Sequence, residues 1–294
     1  MSNINPALLR WRKTEIPYAL LRNTIIKFDS ILNPRTRTEM KLLNNSDLEG
    51  TLKGKRCFII GNGPSLKTQD LSLLENEIVF TCNTIMQMDS FSKLKTNYHF
   101  WIDPIFFAGD SYVELMKQVN TNNNHPIVFY PVDMISFVKA HKLDELLNVR
   151  YFKTGYTIYE GYNKKFDFCR ILPLVTTVVM CEIFLAIYMQ ASEIYLMGCD
   201  NTGAISHIRS IENQNLNDLE YAYEMSDEEK KIRKKAYKAD GNEFFFYLQS
   251  KGFQHYRIIN EYCNKRGIKL VNCTAGGILN EIQRDTLASI LGRG

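Results

Sequence analysis

Arg56-Cys57-Phe58-Ile59-Ile60-Gly61-Asn62-Gly63-Pro64-Ser65-Leu66 is the stretch whose reading decides the fold. Cys57 to Ile60 form an apolar run too short for a helix, bounded by Lys53-Gly54-Lys55 and Gly61, and read as a buried strand. Gly61 and Gly63 let the backbone turn sharply and let a ligand approach closely. Leu66 to Leu74 reads as the helix that follows. Pro64 suits its first turn, where a missing N–H costs nothing. The open N–H groups and positive dipole end of such a helix suit a phosphate, and Asn62 and Ser65 add side-chain hydrogen bonds. The pattern is neither G-x-G-x-x-G nor a Walker loop, so an ordinary strand-to-helix turn stays open beside nucleotide binding.

Outward from this turn, further short apolar runs alternate with helical patterns. Strands are expected at Glu77–Thr81, Tyr98–Ile102, Ile127–Tyr130, Glu193–Met197 and Ile268–Asn272, and helices at 175–189 and 253–266. The alternation predicts an α/β fold with a mostly parallel sheet. Residues 51–294 form the catalytic domain, with the polar, charged segment 212–250 as a helical lid or acceptor-binding insertion. Residues 1–50 read as a basic amphipathic helical arm punctuated by Pro6, Pro17 and Pro34. Ile171 to Met189 carries one charge, Glu182, and is long enough to suggest a membrane span. Pro173, Thr176, Thr177 and the strand that follows it argue instead for a helix buried in a sheet protein.

Lys and Arg number 36 against 32 Asp and Glu, a net charge of +4, which excludes nothing but gives no nucleic-acid signal. The charge is uneven. Residues 1–41 hold eight basic side chains and three acidic ones, a net +5, leaving −1 for the rest. Such an arm suits peripheral contact with an anionic membrane; simple packing on the domain is the alternative. The seven cysteines include no C-x-x-C pair and sit mostly in apolar runs, so they read as buried small side chains in a reducing compartment, and no metal site is expected. No apolar run follows the first charges as a signal peptide requires, which points to the cytoplasm.

Polar residues at the carboxyl ends of parallel strands face the crevice where ligands bind. Asn83 and Asp103 stand there after the second and third strands, and Asp200 follows Glu193–Met197. Each is also a common turn or capping residue. Among the five histidines, His207 and His255 have plausible routes to the crevice and are the candidates for a general base.

The run from Cys57 to Lys67 resembles the bacterial sialyltransferases that use CMP-sialic acid, and the broader 6-hydroxymethylpterin pyrophosphokinase MptE-like family. Cys82-Asn83, Met180-Cys181, the run Glu193 to Asp200, and Gly267 to Cys273 resemble later blocks of the same families in the same order. The resemblance implies a glycosyltransferase building a bacterial surface glycan such as capsule or lipopolysaccharide. It implies a nucleotide-sugar donor, a CMP-sugar first, with no obligatory cofactor or metal, a glycan or lipid-linked acceptor, and inverting transfer with a histidine base. It implies a single Rossmann-like domain in which Asn62, Gly63, Ser65 and Asn83 line the nucleotide and Thr176 and Thr177 take the place of a family Ser-Gly pair; Gly61, Pro64 and Asp103 join these candidates from the glycine turn and the strand end. Thr202 stands near a family tyrosine, and His255 is the histidine nearest the base position. A pterin pyrophosphokinase-like enzyme using ATP and magnesium, or a non-catalytic nucleotide-sugar binding subunit, are the alternatives; homo-oligomerisation stays open.

Overall fold

The computed structural model describes residues 5–120, 124–205, 208 and 221–292. Its centre is one sheet of eight strands: β1 (Arg56–Ile60), β2 (Val79–Cys82), β3 (Thr96–Phe100), β4 (Ile127–Pro131), β5 (Asn148–Tyr156), β6 (Ile171–Pro173), β7 (Glu193–Met197) and β8 (Lys269–Asn272). The order across the sheet is β6-β5-β4-β3-β2-β1-β7-β8, and every pair is parallel. The chain steps outward from β1 to β6, then returns to place β7 on the other side of β1. The sheet therefore has a topological switch point between β1 and β7, the place where open α/β sheets bind ligands.

Both sheet faces are covered, which is why the strands read as continuous apolar runs. In β1, Cys57 and Ile59 join one core cluster while Phe58 and Ile60 join the other, the two-residue period of a strand. The first cluster packs beneath the helix Val178–Tyr188, which buries every residue from Val179 onward. A helix apolar all round belongs inside a protein. No described helix is long and apolar enough to cross a membrane.

The arm is three helices, α1 (Pro6–Thr14), α2 (Ile16–Leu32) and α3 (Pro34–Lys41). Asn-Pro opens the first and third. The Asn5 side chain accepts from the Ala7 N–H and the Asn33 side chain from the Arg35 N–H, while each proline occupies the position that needs no donor. The arm docks on the domain through polar groups. Asn23 and Thr157 exchange two hydrogen bonds, of 2.9 and 2.6 Å, and Arg22 donates to the Gly155 carbonyl at 2.5 Å.

Three expectations are corrected. Leu66 to Leu74 is not an α-helix but two 3-10 turns, Pro64–Thr68 and Leu71–Leu74. Gln69 and Asp70 are extended between them, and the Asp70 carboxylate caps the Ser72 N–H at 3.0 Å, restarting the chain. The helix-dipole argument for a phosphate after Gly63 falls with it. Strands β5 and β6 were not expected. The helix expected at 253–266 is part of a longer one, Asp227–Asn264, interrupted only at Gly241 (φ +69°), so no boundary falls at residue 250. Residues 212–220 of the expected lid lie outside the described residues.

Candidate functional site

A cavity of about 720 Å³ opens at the carboxyl ends of β1, β2, β3 and β7, over the switch point. Gly61, Asn62, Gly63 and Pro64 line it from β1, Cys82 and Asn83 from β2, Asp103 from beyond β3, Thr176 and Thr177 from the segment after β6, and Asp200 from beyond β7. The long helix closes one side with Phe244, Leu248, Gln249 and Tyr256.

The floor is built by glycine. The Gly63 N–H donates to the Gly198 carbonyl at 2.8 Å, and Gly61 N–H to Met197 at 2.8 Å. A Cβ on Gly61 or on Gly63 would stand 2.6 Å from the Gly198 carbonyl oxygen, and one on Gly63 would also run into the Asp200 carboxylate. On their Cβ side these glycines admit the β7 loop, while both also line the cavity. Gly63→Val would part β1 from the β7 loop.

Asp200 is buried, and the Ser65 hydroxyl donates to its Oδ2 at 2.8 Å. Burial raises its pKa, and the Ser65 hydrogen bond works against that rise. Ser65 thus reaches the site through Asp200. Asn83 adopts a left-handed backbone, φ +48°, with its N–H on the Phe100 carbonyl at 2.8 Å; asparagine tolerates that conformation. The side-chain oxygens of Asn62 and Asn83 are both buried without a hydrogen-bond partner. Buried polar atoms are normally paired, so two orphans on one cavity mark places for a ligand's donors. Across the cavity, Thr177 and Tyr256 share a hydrogen bond of 3.0 Å. Burial holds the Tyr256 phenol well above its ordinary pKa, so it keeps its proton.

The expected site is therefore largely one place, with two exceptions. His255 does not line the cavity. It is buried beside Lys251, Arg12 and Glu15, and burial together with the two cations lowers its pKa to about 3. His207 lies outside the described residues. Gln249 and Tyr256 were missed, because a sequence does not show which face of a long helix meets the cavity. The cysteines behave as expected. Among the described residues all are unpaired and only Cys169 is not buried; burial pushes the Cys82 and Cys199 thiols up, leaving them unreactive.

An open parallel sheet with its cavity at the switch point defines a Rossmann-like α/β protein. Residues 35–203 match the family described as 6-hydroxymethylpterin diphosphokinase MptE-like, and the chain belongs to that family. No curated protein matches the sequence. Among solved structures, the sialyltransferase CstII from Campylobacter jejuni, in complex with the substrate analogue cytidine-5'-monophosphate, is similar at 19% identity, with 79% of this chain and 85% of that one covered and a TM-score of 0.45. The sialyltransferase CST-II in complex with a trisaccharide acceptor and CMP is similar at 21% identity, over 78% and 86% of the chains, TM-score 0.44. The MAf glycosyltransferase from Magnetospirillum magneticum AMB-1 is similar at 13% identity, over 84% of this chain and 38% of that one, TM-score 0.46.

Proposed function

We propose that the protein is a glycosyltransferase that moves a sugar from a nucleotide-activated donor, a CMP-sugar first, to a glycan or lipid-linked acceptor of the bacterial surface. The observation that carries the reading is the pair of orphaned amide oxygens, Asn62 and Asn83, on a cavity whose other polar groups are hydroxyls, amides and two carboxylates. Amide oxygens accept from ribose hydroxyls or a base amino group. Neutral hydroxyl donors such as Thr176, Thr177 and the protonated Tyr256 suit a single phosphodiester better than a triphosphate. The acceptor oxygen would attack the anomeric carbon as the bond to the donor phosphate breaks, inverting that centre. The bonding electrons leave with the phosphate, which Thr177 and Tyr256 are placed to meet. The acceptor hydroxyl's proton goes to Asp200, whose raised pKa makes it a stronger base than an ordinary carboxylate.

The family description favours a second reading, diphosphate transfer from ATP with magnesium. That chemistry asks for carboxylates beside the phosphates. Asp103 and Asp200 both line the cavity, but Asp103 caps the Ile105 N–H at 3.1 Å and Asp200 holds Ser65. No group of three His, Cys, Asp or Glu side chains gathers into a metal-ligand set among the described residues. Magnesium held on a triphosphate asks for only one or two protein carboxylates, and Asp103 and Asp200 would be the residues to supply them; no step is routed through the ion.

Thermal shift against CMP, UDP, GDP and ATP, with and without magnesium, tests the choice. CMP alone is expected to raise the melting temperature; a rise with magnesium-ATP only would install the diphosphokinase reading. Asp200→Asn should lower turnover by roughly 10²–10⁴-fold with CMP binding kept, and native turnover should fall as acid protonates Asp200. A fully active Asp200→Asn beside an inactive His207→Ala would move the base to His207.

A further inference from the structure

The outer side of α2 is apolar and uncovered. Tyr18, Leu21, Ile25, Phe28 and Leu32 follow one another at spacings of three and four, the repeat of a single helix face, and run from 58% exposed at Phe28 to 73% at Leu32. Trp11 on α1 is 62% exposed. The buried residues of α2 are Ala19 and Asn23. The helix is thus docked by its small and polar side with its apolar side turned out. Single exposed apolar side chains are ordinary, but a continuous row of them marks a contact surface.

Charge says what the contact is. The three acids of residues 1–41 are all engaged: Glu15 with Arg12 and Lys251, Asp29 with Asn33 and Thr36, and Glu39 with Arg35 and Lys153. Arg10, Lys13, Lys27, Arg37 and Lys41 are exposed and hold no ion pair among the described residues. A second copy would bring the same positive charge to the same face. An anionic leaflet brings the opposite charge and an apolar interior for the row to enter. We propose that the arm docks on an anionic lipid bilayer, with the α2 row in the boundary between headgroups and acyl chains and the five cations among the lipid phosphates.

The arm is also bonded to the cavity wall. Arg12 donates to Ser250 at 2.6 Å and Lys251 pairs with Glu15 at 2.6 Å, on the helix whose Leu248, Gln249 and Gly252 line the cavity. Docking would therefore hold the cavity beside the membrane, where a lipid-linked substrate resides. The inference rests on the arm alone, not on the choice of donor.

Co-sedimentation of the full chain with vesicles of phosphatidylcholine and phosphatidylglycerol in equal parts, against phosphatidylcholine alone, is the test. Binding is expected to the anionic vesicles only and to weaken with salt. Lys13→Glu with Lys27→Glu should weaken it by at least about fivefold for each cation lost, and Ile25→Ser with Phe28→Ser should abolish it. These side chains are exposed, so both variants should melt at the native temperature and keep the CMP shift. Absence of native binding, or equal salt-insensitive binding to neutral vesicles, overturns the proposal. A native dimer that Ile25→Ser with Phe28→Ser splits, with no vesicle binding, would give the face to a second copy instead. Loss of the CMP shift in native protein that still binds vesicles would strike the donor reading and leave this one standing.

Discussion

Two helices meet opposite fates in this protein, one apolar almost throughout and one that mixes apolar with polar and charged residues. Val178–Tyr188 buries ten of its eleven residues between the sheet and the long helix. The seventeen residues of α2 bury only Ala19 and Asn23 and show Leu20, Leu21, Ile25, Phe28, Ile31 and Leu32 to the outside. The difference lies in what each side of the helix is offered. The inner helix meets apolar surface on every side. α2 meets the polar rim of β5, where Thr157 and the Gly155 carbonyl select Asn23 and Arg22 rather than a leucine. Burial therefore follows both the apolar content of a helix and the surface it is laid against.

The contrast breaks or holds first on paired truncations. Phe184 is fully packed, its ring stacked on Phe166 at 4.1 Å, so Phe184→Ala should cost about 3–5 kcal/mol in denaturant unfolding. A loss of less than about 1 kcal/mol would show that the inner helix is loosely held.

The next effect sharpens the comparison, because the inner helix carries its own misfit. Glu182 is wholly buried with neither carboxyl oxygen partnered, and burial holds its pKa well above the ordinary value. Glu182→Met should stabilise the protein by about 1–3 kcal/mol at neutral pH. A destabilised Glu182→Met would mean that the carboxyl has a role in the fold.

The third concerns the junction between the two regions. His255 sits where the arm meets the long helix, its pKa lowered to about 3 from an ordinary 6.5. The unfolded chain takes up this proton below pH 6.5 and the folded one does not, so His255 costs stability as pH falls through that window. The slope is about 1.4 kcal/mol per pH unit. Glu182 acts the other way. It is protonated when folded and ionised when unfolded above 4.5, so its contribution falls as pH rises. His255→Leu should therefore flatten, and Glu182→Met steepen, the acid loss seen in urea melts between about pH 4.5 and 6.5. An unchanged slope in His255→Leu would place the folded histidine in its charged form.

The smallest effect closes the pair. Phe28→Ala, on the outward face, should change stability by no more than about 0.5 kcal/mol. A loss as large as that of Phe184→Ala would show that the α2 row is covered.

The sheet's middle was legible because its strands are short apolar runs closed by Gly, Asn or Asp at the carboxyl end, and those terminators are also the site. Gly61 to Pro64, Asn83, Asp103 and Asp200 could be placed together because strand ends share an edge, whereas Thr176 and Thr177 were placed by the family resemblance alone. β5 was not legible. Its Arg150 and Lys153 look like loop residues until Asp47, Glu39 and Asp133, contributed by distant segments, are seen to pair with them. β6 is three residues that are a strand only because β5 lies beside them. His255 was misplaced by one position of helical phase. Its neighbour Tyr256 lines the cavity, and a single step turns a side chain by about 100°.

The switch point also sets an order of events during synthesis. Cys57 of β1 pairs with Ile194 of β7, and Ser65 and Asp200, which share a hydrogen bond, are 135 residues apart in sequence. When a ribosome has delivered β1 through β6, the wing on one side of β1 can assemble, but the other side of β1 is still an unpaired edge and the cavity has half a floor. An exposed edge of this kind invites pairing with other chains. Binding competence should therefore appear late and abruptly along the nascent chain, once β7 has emerged and closed that long loop.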